Sequence, residues 1–121
     1  MGKPIKRMTR KQYNFCVTEA ANYADPDAYA SSMLAESIWG DANRAEISTE
    51  FQETLRSIYT AATRTVREIV GASGLTQTAF AERWCIPLRT VQDWCREIAK
   101  CPLYTRLMIQ QCMGMFVPPI E

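Results

Sequence analysis

The chain has 121 residues, 14 of them basic and 13 acidic, which leaves room for one compact domain or two small lobes but not for a large enzyme with a cofactor domain. Histidine is absent, so the usual general base, most catalytic triads and Cys/His zinc sites are excluded; no enzyme, cofactor or metal site is expected. Cys16, Cys85, Cys95, Cys101 and Cys112 form no C-x-x-C pair and read as buried, reduced thiols, and neither a signal-peptide segment nor a membrane-length apolar stretch is present, so a cytoplasmic protein without a membrane partner is expected.

Helical periodicity dominates and alternating β-branched runs are missing, so the fold class is expected to be all-α. The first eleven residues carry Lys3, Lys6, Arg7, Arg10 and Lys11, either an arm that tracks phosphate or enters a minor groove, or a solubilising tail. Thr9 and Gln12 have capping-box spacing and open a helix that runs to about Tyr23. Asp25-Pro26 pairs an N-cap with a proline in the first turn, and Tyr29, Met33, Leu34, Ile38 and Trp39 then share a face until Gly40. The aromatic residues of this half, together with Met33, read as core rather than as a ligand box. Asp25, Asp27, Glu36 and Asp41 lack metal-loop spacing and read as caps and a solvated face.

Residues 41–47 read as a flexible connection. Thr49 with Gln52 repeats the capping-box spacing, and Phe51, Leu55, Ile58, Ala62, Val66 and Ile69 follow at steps of four and three without a breaker before Gly71. One long helix is therefore expected to bridge the two halves. Charge changes along the way: between Gln12 and Ala61, Arg44 and Arg56 stand against eight acidic residues, whereas from Ala62 to Gly114 seven basic residues outnumber four acidic ones. A basic arm and a mildly basic C-terminal half thus flank an acidic middle, a pattern that fits DNA contact at two places.

The segment from Ser73 to Arg96 has its own grammar. Gly74 is a C-cap signal and Thr76 can cap a helix over 77–84, in which Phe80, Ala81 and Trp84 share a face. Cys85-Ile86-Pro87 makes a three-residue break, with Ile86 as a core plug. A second helix follows over 88–96, with Val91 and Trp94 inward and Leu88, Arg89, Gln92, Asp93 and Arg96 outward. Two short helices with a tight turn and a polar outer face form a groove-reading unit. After Pro102, residues 103–114 read as a short amphipathic helix with Tyr104, Leu107, Met108 and Cys112 on one side, and 115–121 as a frayed tail. Met113, Met115 and Phe116 serve either core closure or a seam between two chains.

The Leu75-Thr76-Gln77 start, the Phe80-Ala81 pair, Ile86, Val91-x-x-Trp94 and Pro102 together resemble the phage-repressor, or Xre-like, helix-turn-helix family, over about Thr65 to Pro102. The resemblance implies a lambda-repressor-like domain over 49–114, preceded by an N-terminal helical region over 1–48. It implies that Gln77 lies at a backbone-contacting helix start, that Leu88, Arg89 and Asp93 reach base edges, and that Thr90 and Lys100 contact phosphate. Chemically, Arg89 can donate bidentately to guanine, Leu88 can meet a thymine methyl, and Asp93 can accept from cytosine N4. Double-stranded DNA and a homodimer are the implied partners. The chain departs from the family at Cys85, where many members have a turn glycine, and at Glu97, where a glycine commonly follows the third helix. It also has Val70 and Cys95 where members carry a buried arginine–glutamate pair; losing both charges together leaves no unpaired one. The expected function is a sequence-specific transcriptional regulator. The alternative, suggested by near-zero net charge and Asp93 on the outer face, is a protein-interaction adaptor that binds a partner through the N-terminal half.

Overall fold

The computed structural model describes residues 8–36, 39 and 49–120. Among these the chain is all-α, with seven α-helices and a single isolated bridge, and no helix is long and apolar enough to cross a membrane. It divides into two units, Met1–Thr63 with Val117–Glu121 and Arg64–Phe116.

The first unit begins as its capping residues dictate. The Gln12 N–H donates to Thr9 Oγ1 at 3.1 Å and the Thr9 N–H to Gln12 Oε1 at 2.8 Å, and α1 (Arg10–Glu19) follows, closed by a 3-10 turn, Ala20–Asn22. Asp25 then accepts the Ala28 N–H at 2.8 Å and starts α2 (Pro26–Leu34). This helix is shorter than its apolar face suggested. The Met33 carbonyl is taken by the Glu36 N–H at 3.1 Å and by the Trp39 indole N–H at 2.7 Å, so the helical hydrogen-bond pattern gives way there and Trp39 returns to the core as a separate anchor. Gly40, the expected stop, and the 41–47 connection lie outside the described residues.

The third helix, α3 (Thr49–Thr63), supplies the buried stripe Phe51, Leu55, Ile58 and Ala62, against which α1 and α2 pack. Tyr29 sits at the centre. Its ring meets Tyr59 at 5.1 Å and Tyr23 at 5.7 Å, and its hydroxyl donates to the Cys16 carbonyl at 2.7 Å, which satisfies a polar atom that burial would otherwise penalise. Trp39 meets Phe51 edge-on at 4.9 Å. Tyr13, Tyr29 and Trp39 are core, as the sequence suggested, whereas Phe15 and Tyr23 are half-buried. The Thr49–Gln52 box rests on a side chain outside the described residues.

The expected long helix is two helices. Arg64 and Thr65 leave the helical path, and Thr65 caps α4 (Val66–Ser73): its hydroxyl accepts the Glu68 N–H at 3.1 Å while Glu68 Oε1 accepts the Thr65 N–H at 2.9 Å. A complete capping box thus interrupts the apolar stripe, and the division between units falls at the same place. The tail is likewise not frayed. The Met8 N–H donates to the Pro119 carbonyl at 2.8 Å and Met8 bridges Ile120 in parallel, so the C-terminal segment belongs to the first unit.

In the second unit α4 is followed by α5 (Gln77–Trp84), α6 (Leu88–Cys95) and α7 (Leu103–Cys112). Val66, Ile69, Val70, Phe80, Ala81, Val91, Cys95 and Ile109 form its core, with Ile86 and Trp94 packed against it. Val70 and Cys95 sit in one apolar cluster, so no buried charge is left there without a partner. On α7 the buried face differs from the expected one. Leu107, Ile109 and Gln110 turn inward, whereas Tyr104, Met108 and Cys112 are exposed. The cause is polar: Gln110 is fully buried because Arg64 Nη1 donates to its Oε1 at 2.9 Å and its own Nε2 donates to the Arg106 carbonyl at 3.2 Å. Arg106 in turn donates to the Arg64 carbonyl at 2.9 Å. Phe116 is buried and Met113 and Met115 pack on the core, which removes them as an exposed seam.

The cysteines divide as well. Cys16 and Cys95 are buried and Cys101 is half-buried, and burial pushes the Cys16 and Cys101 thiols up to about 11. Cys85 and Cys112 are exposed, contrary to the uniformly buried reading.

Candidate nucleic-acid interface

α5 and α6 are joined by a tight turn and pack on each other. Thr76 accepts the Ala79 N–H at 3.1 Å and starts α5, and Ala81, being small, lets α6 approach. α5 ends at Cys85, whose φ of 55° is left-handed. The Ile86 N–H reaches back to the Ala81 carbonyl at 2.9 Å and the Cys85 N–H to the Glu82 carbonyl at 3.3 Å, the paired closure of a Schellman end. The turn therefore keeps a glycine-like conformation without a glycine. Pro87 cannot continue α5 and presets the start of α6, whose first turn has no side-chain cap.

Helical spacing puts Arg89, Gln92, Asp93 and Arg96 on one side of α6 and Val91 on the other, with Leu88 at the edge of the first beside the buried Cys95. Arg89 is the most open of them, with 83% of its side chain exposed, and Leu88 beside it is 37% exposed. Gln92 is half-buried and Arg96 is exposed at the C-cap. Asp93, expected at a base edge in its own right, is only 24% exposed, and its Oδ1 accepts Arg89 Nε at 3.3 Å. Thr90 is half-buried on the flank of this side, away from Arg96 and Arg89. Gln77 is exposed as the first residue of α5.

Lys100 lies beyond the end of α6. Glu97 holds φ at 60°, the Ile98 N–H donates to the Asp93 carbonyl at 2.9 Å and the Glu97 N–H to the Trp94 carbonyl at 3.2 Å, so the helix closes sharply and Lys100 is exposed in the following loop. The helix neither continues toward Pro102 nor needs a glycine to stop. Two features escaped sequence reasoning. The Arg89–Asp93 contact follows the i,i+4 spacing of the two residues, a signal that assigning each its own base contact passes over. Arg83, whose guanidinium stands 5.6 Å from the centre of the Trp84 ring, adds a cation beside the turn that begins α6.

Among the described residues no group of His, Cys, Asp or Glu side chains is placed to hold a metal ion. The surface of α6 instead offers hydrogen-bond donors and one carboxylate, with Leu88 and Arg89 exposed at its start. No family model, no curated protein and no solved structure matches the chain.

Proposed function

We propose that the second unit is a phage-repressor-like helix-turn-helix that reads double-stranded DNA in the major groove through α6, and that the chain is a cytoplasmic transcriptional regulator working as a homodimer. The observation that carries this reading is the stance of α6, an eight-residue helix propped on α5 by a three-residue turn, with Arg89 projecting from its first turn. A guanidinium there can donate two hydrogen bonds to guanine O6 and N7, discrimination of about 1–3 kcal/mol. Seven basic against four acidic residues in this unit favour a polyanion. The dimer is supported by Tyr104 and Met108, 69% and 60% exposed one turn apart on α7, where two copies can meet through the same face.

The test is selection from a genomic DNA library. The wild-type chain should enrich a short palindromic site, and Arg89→Ala should lose that enrichment. Unselective binding by the wild type would remove the specific-regulator reading. No affinity at low salt, with a protein partner retained through the N-terminal half, would favour the adaptor.

A further inference from the structure

We infer that Asp93 is a positioning residue for Arg89 and does not itself read a base, an inference that rests on the DNA-reading role of α6. The two side chains lie one helical turn apart, and Asp93 Oδ1 accepts from Arg89 Nε, not from the outer end of the guanidinium. The two Nη groups therefore stay available for end-on, bidentate donation to one guanine. The carboxylate is mostly covered while the guanidinium is open, so Asp93 lies behind Arg89 rather than beside it at the outer surface. Paired in this way, its charge is offset at close range, which lowers the repulsion that a lone carboxylate would feel from DNA phosphates.

Helix stability does not explain the pair. Arg89 is the second residue of α6, near the positive end of the helix dipole, and Asp93 is in the last turn, near the negative end. Both charges sit at the end where the dipole disfavours them, and an acidic residue N-terminal to a basic one is the better order for an i,i+4 pair. An i,i+4 pair on a helix surface, with its guanidinium open to water, contributes little to folding. What it does supply is a restricted guanidinium, so less side-chain freedom is lost when Arg89 engages a base.

The experiment compares wild type, Arg89→Ala, Asp93→Ala, Asp93→Asn and the double alanine variant on duplexes selected from a randomised library, with affinity measured at each substituted base pair. Asp93→Ala should weaken guanine preference about tenfold, in the range of one good bidentate contact, and at the same base pair that Arg89→Ala affects. The double variant should be no worse than Arg89→Ala, Asp93→Asn should recover part of the preference, and thermal stability should not fall in any of them. A change of preference at a different base pair, additive losses, or an unchanged guanine preference overturns the assignment. The Arg89 Nε–H resonance of the free protein separates this inference from the reading beneath it. An ordered Nε–H that becomes mobile in Asp93→Ala supports positioning even if no DNA site is selected, whereas a mobile Nε–H in the wild type overturns it whatever the DNA result.

Discussion

Gly74, Cys85, Glu97 and Gly114 end the four helices of the second unit, all with φ between 55° and 75°, yet only two of them are glycines. For an L residue the left-handed region costs about 1 kcal/mol or more, and glycine returns part of that gain through greater freedom in the unfolded chain. Glu97→Gly should therefore raise stability modestly, by about 0.5 kcal/mol in a urea titration. Gly74→Ala is the converse. A Cβ there would stand in open space, so its cost, about 1 kcal/mol, is conformational alone. A loss of stability in Glu97→Gly would show that the exposed Glu97 side chain contributes a contact of its own. Left-handed ends at Cys85 and Glu97 are hard to find in a sequence because nothing in those side chains favours them. The hydrogen bonds from Ile86 to Ala81 and from Ile98 to Asp93 hold them there.

At the scale of elements, the sequence was informative where a local signal and a tertiary demand agreed. Thr9 with Gln12, Asp25 with Pro26, and Thr76 all start helices where their side chains can take an orphan N–H. The break at Thr65 carries the same signal, Thr65-x-x-Glu68, but it lies inside an apolar stripe that continues in step from Ala62 to Val66. Periodicity reports which residues are buried, not whether the backbone between them stays helical. Here one stripe serves two cores: Phe51 to Ala62 belong to the first unit, Val66 to Val70 to the second. The buried face of α7 departs from its apolar pattern for a related reason, since Gln110 looks solvent-seeking until Arg64 and Arg106 satisfy its amide.

The Thr65 box is testable by mutation and by pH. Thr65→Ala removes the hydroxyl that receives the Glu68 N–H and should cost about 1 kcal/mol in thermal or urea unfolding. The Thr65 N–H and then the Thr65 hydroxyl donate to the Glu68 carboxylate and hold it below the usual carboxylate range. Its folded pKa is thus lower than its unfolded one, so its contribution is complete above the ordinary range and is lost as pH falls through the folded value. Glu68→Gln keeps both contacts of the box without titrating. The wild type should therefore lose stability relative to this variant on acidification, and parallel pH curves for the two would refute the linkage.

Across the whole molecule the order of the chain and the order of the units differ. The first unit draws on both ends of the described chain, and the second is inserted between Thr63 and Val117. A division of the sequence into an N-terminal region, a helix-turn-helix domain and a loose tail could not anticipate this, because Val117-Pro118-Pro119-Ile120 has no helical or strand periodicity to mark it as structure. The two prolines instead favour an extended path, and Pro119 still offers the carbonyl that Met8 needs. Met8 is almost fully buried with this segment in place. Deleting residues 117–121 removes the hydrogen bond and the bridge to Met8 and should cost the first unit about 1 kcal/mol, the net worth of one such bond. Hydrogen exchange resolves where the cost falls: amides of α1, α2 and α3 should lose protection, while those of α4 to α6, whose core of Ile69, Phe80 and Val91 contains no residue of the tail, should keep theirs. Equal loss in both sets would show that the two units unfold as one, and the surface of α6 would then depend on a segment absent from the core beneath it.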